Sequence, residues 1–120
     1  MNTILDHLRS SRYHGCIENA DGVGLETGNP WLVTIKFWIK VEDGVITDVK
    51  FKTQGCATSI ACSSMLAEMA LEKSVADARA LSYQEVASAL GKVPPEKTYC
   101  CRLSMMAFQR AIDDYRSDSS

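Results

Sequence analysis

At 120 residues, 46% of them apolar, the chain is long enough to bury one compact core and short for two, so residues 1–120 are read as a single domain. A formal net charge of -2 with scattered Lys and Arg leaves no basic stripe for a phosphate backbone, which excludes nucleic acid as an expected partner. No apolar run reaches the roughly 20 residues of a membrane-spanning helix, and the first 12 residues hold no apolar signal core, so no membrane association and a cytoplasmic location are expected.

In chain order, Ile4, Leu5 and Leu8 fall at helical spacing and predict a short helix over residues 3–11. Residues 19–30 concentrate turn formers, Asp21-Gly22, Gly24, Gly28 and Asn29-Pro30, and read mainly as loop with at most a short extended piece around residues 23–26. Trp31, Val33, Ile35, Phe37, Ile39 and Val41 then alternate with Leu32, Thr34, Lys36, Trp38 and Lys40, the period-2 pattern of a half-buried strand. Glu42-Asp43-Gly44 supplies a hairpin turn, and Val45, Val49 and Phe51 against Asp48, Lys50 and Lys52 predict an antiparallel partner strand.

After Cys56 the period changes. Residues 57–71 are dense in Ala, Ser, Met and Leu without a breaker, predicting a helix with much of its surface buried. Ser74-x-x-Asp77 and Ser82-x-x-Glu85 have the form of capping boxes and predict two short helices, the second stopped by Gly91. Val93-Pro94-Pro95 is extended by necessity, because proline cannot propagate a helix. Leu103, Ala107, Ala111 and Tyr115, with Phe108 and Ile112 beside them, predict a last helix from about residue 100 to 115, followed by a frayed polar tail at 117–120. The order predicts an α+β domain with helices packed on one face of a small antiparallel sheet.

Five cysteines, Cys16, Cys56, Cys62, Cys100 and Cys101, are an odd number in a chain without export features, which favours metal ligation or thiol chemistry over a disulfide framework. Cys56 stands where a strand hands over to a helix, after a glycine and beside unpaired helical N–H groups that stabilise thiolate over thiol, and it reads equally as a small buried hydrophobe capping that helix. Cys100 and Cys101 hold the equivalent place at the start of the last helix. Adjacent helical residues diverge by about 100°, so both face one ion only where the backbone is not yet helical; Cys101 reads equally as a buried thiol on the helix face. Cys62, six residues past Cys56, is rotated by about 240° and displaced by about 9 Å, so it is not expected to share a metal with Cys56. Cys16 lies in a loop, and His7 and His14 fall at no ligand spacing and are assigned surface or packing roles.

The segment Phe51-Lys52-Thr53-Gln54-Gly55-Cys56-Ala57-Thr58-Ser59-Ile60-Ala61-Cys62-Ser63-Ser64 resembles the F-K-T-x-G-C-x-x-x-I-A-x-S-S stretch of the IscU/NifU-type scaffold family. Collinear matches extend the resemblance over nearly the whole chain: Ile4-Leu5-Asp6-His7, Lys40-Val41, Asp43-Gly44, Val93-Pro94-Pro95-Glu96-Lys97, Tyr99-Cys100 and Ala111-Ile112-x-x-Tyr115. The resemblance implies an IscU/SufE-like α+β fold on which a cysteine desulfurase delivers sulfur, iron joins it as a [2Fe-2S] cluster, and recipient apo-proteins collect the product. Such a scaffold turns over no small molecule alone and is not expected to be an enzyme.

The family's site uses three cysteines with an aspartate and a histidine nearby. Here Cys56 and Cys100 match two of the cysteines, while Trp31 and Val33 fall where the first cysteine and the aspartate belong, Tyr99 replaces the histidine, and Cys101 stands where serine is usual. Cys56, Cys100 and Cys101 are therefore the expected ligands of the cluster or of iron. A [2Fe-2S] cluster needs four ligands, so the fourth comes from Cys16, Tyr99, an exogenous thiol or a second chain, and a homodimer bridged by a cluster is one such arrangement. Glu96, where the family's chaperone-binding motif has valine, puts a carboxylate into an apolar groove and works against an Hsp70-type chaperone as partner. The alternatives are a sulfur-relay protein that accepts persulfide on Cys56 or Cys100 and a cluster-free partner-binding relative with zinc on the remaining thiolates.

Overall fold

The computed structural model describes residues 13–28, 33–54, 57–91, 93 and 98–119. The helix expected over residues 3–11 and the proline connector at 94–95 lie outside these described residues. Among the described residues, three strands form one antiparallel sheet in the order β1 (Gly22–Gly28), β2 (Val33–Glu42), β3 (Val45–Gln54). Four helices follow: α1 (Ala57–Ala70), α2 (Val75–Arg79), α3 (Tyr83–Leu90) and α4 (Thr98–Ser119).

The alternation in β2 does what its period requires: Val33, Ile35, Phe37 and Ile39 are buried, and the residues between them point to the other face. Asp43 and Gly44, both at positive φ (53° and 76°), make a two-residue hairpin whose twist matches the flanking strands. The register slips between Lys40 and Val41, with Thr47 as the extra residue of a bulge. Beyond it Ile46 faces the core and Val45 is exposed, a correction to the alternation read from Val45.

The larger correction is β1, expected mainly as loop. It pairs with β2 from Gly22↔Ile39 to Gly28↔Val33. Its glycines are not turn residues; they let α4 lie directly on the strand. A Cβ at Gly22 would collide with the carbonyl oxygen of Ala111, and one at Gly24 with that of Ala107. At the rim Asp114 Oδ2 accepts from the Val23 N–H at 2.9 Å and Arg110 Nε meets Glu26 Oε2 at 2.7 Å. The opposite edge of the sheet carries a parallel bridge from His14 to Phe51, with Phe51 N–H donating to Tyr13 O and Gly15 N–H to Phe51 O, both at 2.9 Å. His14 also meets the Phe51 ring edge-on, in keeping with a packing role.

The helices cover one face of the sheet, and the core between them centres on Phe37, which contacts the rings of Phe108 and Phe51 at 5.6 and 5.9 Å. Ser74 and Ser82 cap α2 and α3 by accepting from the N–H groups of Asp77 and Glu85, and Gly91 ends α3 at φ 95°. The last helix starts earlier than expected, at Thr98, and continues to Ser119 through the tail read as frayed. Arg116 in its last turn complements the negative end of the helix, which favours continuation.

Candidate functional site

β3 ends at Gln54 and α1 begins at Ala57, so Cys56 sits in the two-residue link between them, outside the described residues. Both sides of that link are held: Thr53 and Ser59 share a hydroxyl hydrogen bond of 3.1 Å across it. Along α4, Leu103, Ala107 and Ala111 lie against Gly28, Gly24 and Gly22 in turn. The helix therefore starts at the sheet end where Gly28 pairs with Val33 and Thr34 with Gln54. The beginnings of α1 and α4, the latter with Cys100, belong to one end of the molecule.

With α4 helical from Thr98, Cys100 and Cys101 are both already within the helix and their side chains diverge. Both are fully buried. Cys101 Sγ is bonded to Cys62 Sγ of α1, with the Cα atoms 5.2 Å apart. Of the expected ligands, Cys101 thus has a sulfur partner on the neighbouring helix in this state, and it becomes a thiolate only when that bond is opened. Cys62, not expected to share a metal with Cys56, is fully buried and engaged in the same bond. Cys16 is exposed in the connection leading to β1.

A second cross-helix pair lies beside the sulfurs. Ser63 Oγ and Ser104 Oγ are 3.0 Å apart, and Ser104 Oγ also donates to the Cys100 carbonyl at 3.0 Å. Ser59, Ser63 and Ser104 are fully buried, so a seam of hydroxyls and sulfurs runs along the α1–α4 contact below the two helix starts. Sequence reading missed this seam. The signal was the i, i+4 placement of Ser59 and Ser63 in a helix expected to be buried, since buried hydroxyls take hydrogen-bond partners.

The substituted family positions follow the packing. Val33 is 1% exposed at the start of β2 and belongs to the core. Tyr99 is half-buried against the core, bordering a small cleft with Tyr83 and Arg102. Trp31 lies outside the described residues. Among the described residues no three His, Cys, Asp or Glu side chains converge as a metal site, and no helix is long and apolar enough to cross a membrane. On the open face of the sheet, Leu25, Trp38, Lys36 and Lys52 border a groove of about 610 Å³ that reaches Thr53 and Gln54, with Lys36 Nζ 5.0 Å above the Trp38 ring.

A further ion pair, with shifted pKa values on both partners, lies elsewhere. Arg79 of α2 binds Asp113 of α4 through two hydrogen bonds of 2.9 and 3.1 Å. That hydrogen bonding holds the Asp113 carboxyl below its ordinary range and raises the Arg79 guanidinium. Asp113 is thirteen residues beyond Cys100, about 20 Å along the helix.

The chain is similar to curated proteins throughout its length. It is 47% identical over 115 residues to the iron-sulfur cluster assembly scaffold protein IscU 1 of Archaeoglobus fulgidus, covering 93% of this chain and 73% of that one. It is 36% identical over 118 residues to the scaffold protein IscU of Escherichia coli, covering 95% and 91%. Among solved structures, the fold matches the crystal structure described as a putative iron-sulfur cluster assembly scaffold protein for the SUF system from Fervidobacterium islandicum. There the TM-score is 0.76 at 21% identity, covering 91% of this chain and 93% of that one. Residues 1–120 match the family described as the NifU-like N terminal domain, and the chain belongs to that family.

Proposed function

We propose that this protein is an iron-sulfur cluster assembly scaffold or carrier, on which iron and a [2Fe-2S] cluster are held as cargo through Cys56 and Cys100. The observation that supports the reading is that α1, which follows Cys56 in sequence, and α4, which holds Cys100 in its first turn, start at one end of the sheet in a chain of this family. The names of the relatives, iron-sulfur cluster assembly scaffold proteins, support the role. Cys101 joins as a third thiolate once its bond to Cys62 is reduced. A cluster asks for four ligands, and a second chain contributing its own pair completes the set without Trp31, Val33 or Tyr99.

Sulfur reaches the site from a cysteine desulfurase as a persulfide on Cys56 or Cys100, and recipient apo-proteins take the product, all in the cytoplasm. The protein holds cargo and is not itself an enzyme of small molecules. Anaerobic reconstitution of the reduced chain with iron and sulfide is expected to give thiolate-to-iron charge-transfer absorption that is lost in Cys56→Ser and Cys100→Ser. A parent that stays colourless rejects cluster binding, and stoichiometric zinc in the purified protein favours the cluster-free relative instead.

A further inference from the structure

Sulfur carried as a persulfide is at the oxidation level of elemental sulfur, whereas a cluster is built from sulfide, so two electrons are needed for every atom delivered. Cys56 and Cys100 carry the scaffold reading, which gives Cys62 no task and Cys101 one only after its bond to Cys62 is opened. These two are fully buried, lie on facing helices with Cα atoms 5.2 Å apart, and are joined as a disulfide. Such a separation lets two thiols meet without backbone movement. Cys101 directly follows Cys100, itself fully buried in the first turn of α4. Dissolved thiols have no direct approach to the pair, so Cys100 is its nearest exchange partner along the chain.

We propose that Cys62 and Cys101 form an internal dithiol that reduces the outer sulfur of a Cys100 persulfide to sulfide. The step rests on the sulfur-accepting part of the proposed function. Opening of the first turn of α4 exposes Cys100 to the sulfur donor and removes the helical divergence of the two neighbouring side chains; the Cys101 thiolate then attacks the outer sulfur of the persulfide, the sulfur–sulfur bond breaks, Cys100 leaves as thiolate, and Cys101 now carries the persulfide. The Cys62 thiolate then attacks the inner sulfur, Cys101 Sγ, and the outer sulfur departs as hydrosulfide. One persulfide and two thiols become one thiol, one disulfide and one hydrogen sulfide. The delivered sulfur gains two electrons and the pair loses two. The Cys62–Cys101 bond in this structure is the oxidised product, and an external dithiol, exchanging as the first turn of α4 opens, resets it. Sulfide is thereby released next to Cys100.

The test uses the full chain, reduced and freed of reductant under anaerobic conditions, and a cysteine desulfurase charged as its own persulfide. Mass spectrometry follows added sulfur, and colorimetry follows sulfide. The reduced parent is expected to release about one sulfide per chain while the Cys62–Cys101 disulfide forms in peptide maps. Parent oxidised beforehand at this pair needs no substitution: it is expected to gain and keep the sulfur atom, with sulfide release lower by at least about tenfold. Cys62→Ser and Cys62→Ala, checked for folding by circular dichroism, are expected to do the same. Sulfide release from the preoxidised parent at the reduced rate, or a stable persulfide without sulfide on the reduced parent, overturns the internal dithiol while sulfur acceptance stands. Failure of the parent to gain any sulfur overturns both.

Discussion

Helix α4 is packed on two sides by opposite means. Against β1 it rests backbone on backbone, over glycines that present nothing to it. Against α1 it is joined by matched pairs, Cys62 with Cys101 and Ser63 with Ser104. The first contact depends on the absence of atoms, with only the Arg110–Glu26 pair and the Asp114 hydrogen bond at its rim open to pH and salt. The second depends on particular atoms, and one of its links changes with the redox state. The helix that carries Cys100 is therefore fixed in distance from the sheet and chemically adjustable toward α1.

Substitutions separate the two sides. Gly24→Val puts a branched side chain into the Ala107 carbonyl and is expected to cost about 3 kcal/mol or more, read as a collapse of the denaturant midpoint; near-parent stability would mean that the helix can lift off the strand. Cys62→Ser is expected to lose about 2–4 kcal/mol against the oxidised parent and little against the parent in reductant. A loss that persists in reductant assigns the effect to packing instead of to the bond. Ser63→Ala leaves the Ser104 hydroxyl with only the Cys100 carbonyl and is expected to cost about 1–2 kcal/mol. The double variant Ser63→Ala/Ser104→Ala should cost less than the sum of the single losses, and strict additivity would show that the two hydroxyls do not interact.

The smallest effect belongs to the exposed side of the same helix. Asp113→Asn removes the partner of Arg79 and is expected to cost less than about 1 kcal/mol, because both groups are largely in water. The Asp113 carboxyl is held low when folded, so its contribution is present above the ordinary carboxylate value of about 3.9 and disappears as pH falls through the lower folded value. Parent and variant should therefore converge in strong acid and differ at neutral pH. A difference that grows with acidification contradicts the assignment.

Which parts of this molecule could be read in advance follows from the range of the interactions involved. β2 and β3 were legible because a half-buried strand writes its period locally and Asp43-Gly44 closes the hairpin in two residues. β1 was not, because the meaning of Gly22 and Gly24 depends on a helix more than eighty residues later; read locally, the same glycines signal turns. The bulge at Thr47 reversed the side taken by Val45, and nothing in the local alternation marked it. At the site, the start of a helix directly after residue 56 and the early place of Cys100 in the last helix came from local order. The engagement of Cys101 with Cys62 did not, since it depends on how α1 and α4 meet across a separation of 39 residues.

That separation has a practical meaning of its own. The sulfur bond encloses α2, α3 and the connector to α4 in a covalent ring. A protease that nicks the backbone anywhere inside the ring yields two fragments that still migrate as one chain until a reductant is added. The mobility of nicked protein on a denaturing gel, with and without reductant, therefore reports how much of a preparation carries the closed ring, with no spectroscopy and no cargo bound.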